Sequence, residues 1–232
     1  MNRIDEKILN IKNEGRYAIA ASIVAGDGGV DFSRAAVLKM VESDADFVII
    51  GVPFSDPSAE SITVQASHMR AMDKGINIFK TFDMIEKLRE TVKEPIILSL
   101  YYNVIVRYGV ERFFKECREK GIDGLIIFDL PYEEYSDISE FSEKYEVYQI
   151  HIVTGLNKER ARIISRDAKG FLFGIGVDDK MDITIPVYAL DSAVGDGIIV
   201  KEEIAKILDT DIEDSKKTEK IAEVIKNIKS QN

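Results

Sequence analysis

Asp46 to Gln65 reads DFVIIGVPFSDPSAESITVQ, and its two halves ask for different structures. Phe47 to Val52 is apolar at consecutive positions, which suits a strand covered on both faces, as strands of a parallel sheet are when helices flank them. Pro53-Phe54-Ser55-Asp56-Pro57 is then a rigid loop with two prolines and a carboxylate. The segment alone leaves two readings of that loop open. It is a turn in which Ser55 or Asp56 bonds backbone amides, or it is a functional loop at a strand C-terminus, where α/β barrels carry their active faces.

Working outward, the same alternation recurs. Apolar, β-rich runs occupy Tyr17 to Val24, Phe47 to Val52, Pro95 to Leu100, Gly124 to Phe128, Val147 to Val153, Gly170 to Val177 and Gly197 to Val200. Between most of them lie stretches whose apolar residues recur at three and four, such as Phe32 to Val41, Thr81 to Val92, Val110 to Lys120 and Lys158 to Ser165, the mark of amphipathic helices. The rhythm implies a parallel α/β architecture; periodicity alone does not separate an open doubly wound sheet from a closed barrel. Ile4, Ile8 and Ile11 form a helical stripe in the charged segment Met1 to Arg16, and Ile221, Val224, Ile225 and Ile228 form another in the tail. No Pro, Gly or Ser-rich linker divides the chain, so residues 1–232 are read as one domain.

The 232 residues are 45% hydrophobic and 31% charged, the balance of a globular protein. A net charge of −10 opposes nucleic acid as a main partner, since neutralising phosphates needs clustered Lys and Arg. No apolar run reaches membrane-spanning length, the N-terminus lacks a signal-peptide core, and a single cysteine forms no internal disulfide, so a cytoplasmic location is expected. Cys117 lies in a helical pattern as a small buried hydrophobe, and His68 and His151 are too few to build a histidine-rich metal site.

The segment from Asp46 resembles the signature of the tryptophan synthase alpha subunit, in which Asp, two apolar residues, Glu, Leu and Gly precede Pro-Phe-Ser-Asp-Pro. Further matches follow in order: Gly26-Asp27, Arg70-Ala71 and Gly75, Tyr101 and Asn103, and Asp129-Leu130-Pro131-Tyr132-Glu133-Glu134. The resemblance implies a (β/α)₈ TIM barrel that cleaves indole-3-glycerol phosphate to indole and glyceraldehyde 3-phosphate, binds no cofactor, and docks on a tryptophan synthase beta subunit. It implies a docking rim of Pro53, Asp56, Asn103, Asp129, Pro131 and Glu134. It also implies a substrate pocket at Tyr101 and Phe173, to which Gly176 and Lys201 are added as candidates from the residues themselves.

Several positions depart from that pattern. The family's main catalytic glutamate aligns with Ile49, which has no proton to move, and its aspartate aligns with Glu60, one methylene longer. Glu60 is either the remaining catalytic carboxylate or a loop acid. Lys201-Glu202 stands where the family binds phosphate on Gly-Ser amides at a helix N-terminus, and Glu202 would repel that anion. Gly174-Ile175-Gly176 is a weak substitute phosphate loop, opposed by Asp178-Asp179. Only Asp178 to Gly195 separates the sixth strand from the last, so either Ile183 to Leu190 is a seventh strand with shortened flanking helices or the barrel is incomplete. The expectation is therefore an alpha-like lyase with weak or lost activity. The alternatives are a non-catalytic paralogue that binds or regulates a beta subunit, and a remodelled barrel with another reaction.

Overall fold

The structure is a computed structural model that describes residues 1–177, 183–192 and 194–231. Strands β1 (Ala18–Val24), β2 (Phe47–Gly51), β3 (Ile96–Leu100) and β4 (Gly124–Ile127) are buried at every position, as the consecutive apolar runs require. The sheet continues with β5 (Tyr148–Gln149), β6 (Ile152–Thr154), β7 (Leu172–Ile175), β8 (Val187–Leu190) and β9 (Gly197–Val200), all pairings parallel, in the order β5-β4-β3-β2-β1-β9-β8-β7-β6.

The two ends of that order are one stretch of chain. Ile150 and His151 alone separate β5 from β6; the Ile150 amide donates to the Leu125 carbonyl of β4 (2.8 Å), and the His151 carbonyl accepts from the Phe173 amide of β7 (2.9 Å). This run passes the ladder from β4 to β7, so the sheet closes into a barrel of eight staves.

Inside the barrel, Ala20, Phe47, Ile49, Ile97, Ile126, Ile150, Phe171, Phe173, Tyr188 and Ile199 form one dry cluster with Ile4, Ile8 and Ile11. The last three come from α1 (Arg3–Glu14), which plugs the bottom of the barrel. Its ends are fixed: the Asn2 side chain accepts from the Ile4 amide (2.9 Å) while its amide group donates to the Asp123 and Glu146 carbonyls, and Gly15 closes the helix at φ +65°, a left-handed conformation suited to glycine. Outside the wall lie α2 (Val30–Glu42), α3 (Ile62–Asp73), α4 (Ile78–Arg89), α5 (Tyr102–Tyr108), α6 (Val110–Glu119), α7 (Ser136–Lys144), α8 (Lys158–Ser165), α9 (Glu202–Leu208) and α10 (Asp214–Gln231). Cys117 is fully buried in this outer layer among Phe113 and Phe114.

The seventh stave is Val187–Leu190, inside the expected Ile183 to Leu190, and its flanks are shortened. Among the described residues no helix lies between β7 and β8 or between β8 and β9. Ile183, Ile185 and Val194 instead pack on Leu172, Val187 and Ala189, covering the outer wall with irregular chain. The return from β8 to β9 begins where the Asp191 amide meets the Ile199 carbonyl (2.8 Å) and ends where the Asp196 amide meets the Val187 carbonyl (3.0 Å). Four-residue strands rise about 13 Å, within the reach of about 20 Å that six extended residues have, so no helix is needed to span the return.

Candidate active site at the barrel mouth

Because every strand is parallel, the loops after β2, β3, β4 and β9 emerge at one rim. Leaving β2, the chain is held by α3: His68 accepts at Nδ1 from the Phe54 amide (3.2 Å), and Ser61 caps the helix by accepting from the Val64 amide. His68 is buried, its Nε2 has no hydrogen-bond partner, and burial first, then Lys201, pushes its pKa down to about 4. Tyr101, at the end of β3, stacks on Phe54 with ring centroids 4.7 Å apart, and its hydroxyl accepts from the Ala59 amide (3.0 Å). That hydroxyl is pushed up to about 12 by burial. Phe128, after β4, completes an aromatic wall, 5.7 Å from Tyr101 and 6.1 Å from Phe173.

Lys201 follows β9 directly and reaches across the mouth. Its ammonium contacts the Glu60 carboxylate and stands 4.7 Å from the centre of the Phe128 ring. The Lys201 and Glu60 side chains are 8% and 5% exposed, so Glu60 is no solvent-facing loop acid. Burial lowers the Lys201 pKa, opposed by Glu60. Beside it the Asp191 carboxylate accepts from the Lys201 amide (2.8 Å) and the Glu202 amide (3.1 Å), and so sits on the amides that open α9. Desolvation raises the Asp191 pKa. Glu202 accepts a hydrogen bond from the Ser61 hydroxyl, which lowers its pKa and ties α9 to the β2 loop.

The other expected pocket residues lie apart from this pair or below it. Ile49 pairs in register with Ser22 and Ile97, is 1% exposed, and belongs to the apolar barrel interior. Phe173 is buried in the same layer, beneath Phe128. Gly176 is exposed after β7 at φ +58°, and its carbonyl would lie 2.1 Å from a Cβ on Gly155, so these two loops touch backbone to backbone. Asp178 and Asp179 lie outside the described residues.

Of the expected docking residues, Asp56, Asn103, Asp129, Pro131 and Glu134 are exposed on this rim and Pro53 is buried beneath it. Asp129 has a local task as well, since its carboxylate accepts from the Tyr102 amide (2.6 Å) at the start of α5. Pro53 and Asn103 line one groove of about 280 Å³ with Met72, Phe79 and Arg107. Behind the rim Asp27, 1% exposed, holds Arg70 through two 2.8 Å hydrogen bonds, which pins the β1 loop to α3.

Sequence reasoning missed Asp191 and the role of His68. Asp191 sits in a connector too short to carry a recognisable pattern, and a lone histidine on a helix gives no sign of the amide it will meet. Among the described residues no group of three His, Cys, Asp or Glu side chains is arranged to hold a metal ion.

Comparison with known proteins agrees with this architecture. The family model for the tryptophan synthase alpha chain matches residues 8–180. The tryptophan synthase alpha chain of Thermoanaerobacter sp. (strain X514) is 39% identical over 223 residues, covering 90% of this chain and 85% of its own. That of Caldanaerobacter subterraneus subsp. tengcongensis is 41% identical over 173 residues, covering 75% and 66%. In fold, the chain superposes on tryptophan synthase subunit alpha from Legionella pneumophila with a TM-score of 0.90 at 24% identity, over 100% of both chains. A chain of tryptophan synthase from M. tuberculosis in an aminoacrylate-bound form gives 0.87 at 22% identity over 99% of each. The chain belongs to the tryptophan synthase alpha chain family.

Proposed function

We propose that this alpha-like protein cleaves indole-3-glycerol phosphate weakly or not at all and acts through its rim on a tryptophan synthase beta subunit. The observation that carries the reading is the environment of Ile49. The cleavage requires a proton delivered to the indole ring while another leaves the glycerol hydroxyl. At the position of the family's glutamate stands an isoleucine packed among Ala20, Ile97 and Ile126. Glu60, the candidate second carboxylate, is engaged by Lys201, and the α9 amides that would meet a phosphate already hold Asp191.

The rim supports the second half of the proposal. Asp56, Asn103, Asp129 and Pro131 are exposed on the rim, where Asn103 lines a groove with Met72 and Phe79, which are 37% and 55% exposed. Exposed apolar side chains ringed by polar groups mark surfaces that associate. No helix of the described residues is long and apolar enough to cross a membrane, and a single buried cysteine fits a reducing, cytoplasmic setting.

Two measurements test the reading. In an indole-release assay the purified chain should run slower than an intact family member by at least the 10²–10⁴-fold typical of a lost acid–base group; a family-like rate would overturn the catalytic half. Calorimetric titration against the beta subunit of the same source, at two salt concentrations, should give salt-sensitive binding that Asp56→Ala weakens. Absence of binding by the wild type would end the partner half.

A further inference from the structure

Two pairs of neighbouring residues strap the barrel mouth. The Lys201 ammonium meets the Glu60 carboxylate, and beside it the Ser61 hydroxyl donates to the Glu202 carboxylate, so the loop after β2 is tied to the junction of β9 and α9 over the intervening β1. Asp191 accepts from the Lys201 amide and fixes the root of the side chain. From there the side chain crosses to Phe128, beyond β4, which lies four staves from β9 in a ring of eight. Its ammonium stands 4.7 Å from the ring centre, so an aromatic face and a carboxylate, the two groups that recognise an ammonium, are both engaged. A buried ion pair commonly stabilises a fold no better than well-packed apolar residues would, so stability alone does not account for this one. What the pair does is fill space. The cavity that Lys201 and Glu60 line with Ser22, Ser99 and His68 measures about 10 Å³, room for about one water molecule, whereas a cavity that takes benzene measures about 150 Å³. Yet the surrounding wall is of the kind that holds a planar ring: Phe54 stacks on Tyr101, and Phe128 lies 5.7 Å from Tyr101 and 6.1 Å from Phe173.

We infer that Lys201 is a tethered ligand of this mouth, an autoinhibitory strap whose ammonium occupies the face of Phe128 beside Glu60 and keeps planar aromatic molecules out. The inference rests on the reading that cleavage is weak and deepens it, adding an occupied pocket to the apolar surroundings of Ile49. The strap acts by occupancy, and no bond is made or broken. It stays shut because parting the pair leaves a carboxylate and an ammonium uncompensated in a low-dielectric site, which is strongly unfavourable. Removing both side chains avoids that penalty and leaves the aromatic wall facing open space.

Indole is a suitable planar probe, because the chain contains no tryptophan and the probe's fluorescence is its own. Equilibrium dialysis of the whole protein against indole compares the wild type with the double variant Glu60→Ala/Lys201→Ala and with Lys115→Ala/Glu119→Ala, which removes an exposed ion pair elsewhere. The mouth variant should bind indole with a Kd of about 1 mM or below, at least about tenfold more tightly than the wild type, and the surface variant should match the wild type. Equal uptake by the wild type and the mouth variant, or none by either, overturns the proposal. A second measurement uses the wild type alone, so it stands even if the mouth variant does not fold. Lysines are acetylated with an N-hydroxysuccinimide ester and mapped by mass spectrometry over time, with Lys115 and Lys206, 61% and 66% exposed, as internal references. A group held shut reacts only through local opening, so Lys201 should label at least about tenfold more slowly than either reference. Labelling of Lys201 as fast as Lys115 means that the strap is open in solution and overturns the proposal. Indole release is measured separately: slow cleavage with an open mouth removes the strap alone, and fast cleavage overturns the functional reading while uptake and labelling still decide the strap.

Discussion

Ile49 decides more than its size suggests. A glutamate placed there would meet Ala20, Ile97 and Ile126 rather than water, and a carboxylate without partners in an apolar layer stays protonated or destabilises the fold. Ile49→Glu should therefore lower stability by several kcal/mol in thermal or urea unfolding and leave indole release unchanged. A gain of activity would show that the site needs only its missing carboxylate. His68 and His151 make a second residue-scale forecast. Burial holds both near pKa 4, below the ordinary 6.5. Between those values the unfolded chain takes up protons that the native state refuses, so their contribution is intact above about pH 6.5 and is lost as pH falls toward about 4. At most about 3 kcal/mol per histidine is at stake. His68→Asn, which keeps an acceptor for the Phe54 amide, should flatten the pH dependence of the urea midpoint; an equally steep curve would place the titration elsewhere. Ile49 could be singled out in the sequence because it sits within a long motif. The partner of Lys201 could not, since Glu60 and Lys201 are 141 residues apart and meet only when the ring closes.

At the scale of elements, the barrel keeps its interior and economises on its wall. The stripe of Ile4, Ile8 and Ile11 marked α1 as amphipathic, and the structure puts that stripe against the bottom of the barrel. Gly124 and Gly170 make room for it, because a Cβ on either would come within 3.1 Å and 2.8 Å of Ile4 side-chain carbons. Ile4→Ala should cost about 2–5 kcal/mol in unfolding free energy; a loss below about 1 kcal/mol would mean that α1 only drapes over the barrel. Opposite in character are the connectors on either side of β8, where no periodicity exists because irregular chain carrying Ile183, Ile185 and Val194 does a helix's work of covering Val187 and Ala189. The β8–β9 connector is anchored at the mouth by Asp191. Asp191→Ala removes the acceptor from the Lys201 and Glu202 amides and should lower stability by about 1 kcal/mol, as losing an N-terminal cap does, measurable as a shift in the urea midpoint.

For the whole molecule, strands buried on both faces implied a parallel sheet, but closure depended on a two-residue hinge, Ile150-His151, that serves β4 on one side and β7 on the other. Local patterning cannot reveal such sharing, which is why the family motif rather than the rhythm distinguished barrel from open sheet. Closure also brings the β2, β3 and β4 loops to a common rim, on which Pro53 and Asn103 share a groove with Phe79. If this rim is where the protein acts, disruption must be local to it. Phe79 is 55% exposed and lies tilted against Tyr108 with ring centroids 5.3 Å apart, so Phe79→Ser should leave the melting temperature nearly unchanged. Buried aromatic anchors commonly carry about 2 kcal/mol or more of an interface, close to thirtyfold in Kd. Titrated against the beta subunit, Phe79→Ser should weaken binding by roughly that factor. Glu119→Ala, on the far end of the barrel at 58% side-chain exposure, should not change it. Equal loss in both variants would mean that the acidic surface as a whole, not this groove, governs association, and no loss in either would move the contact off the rim.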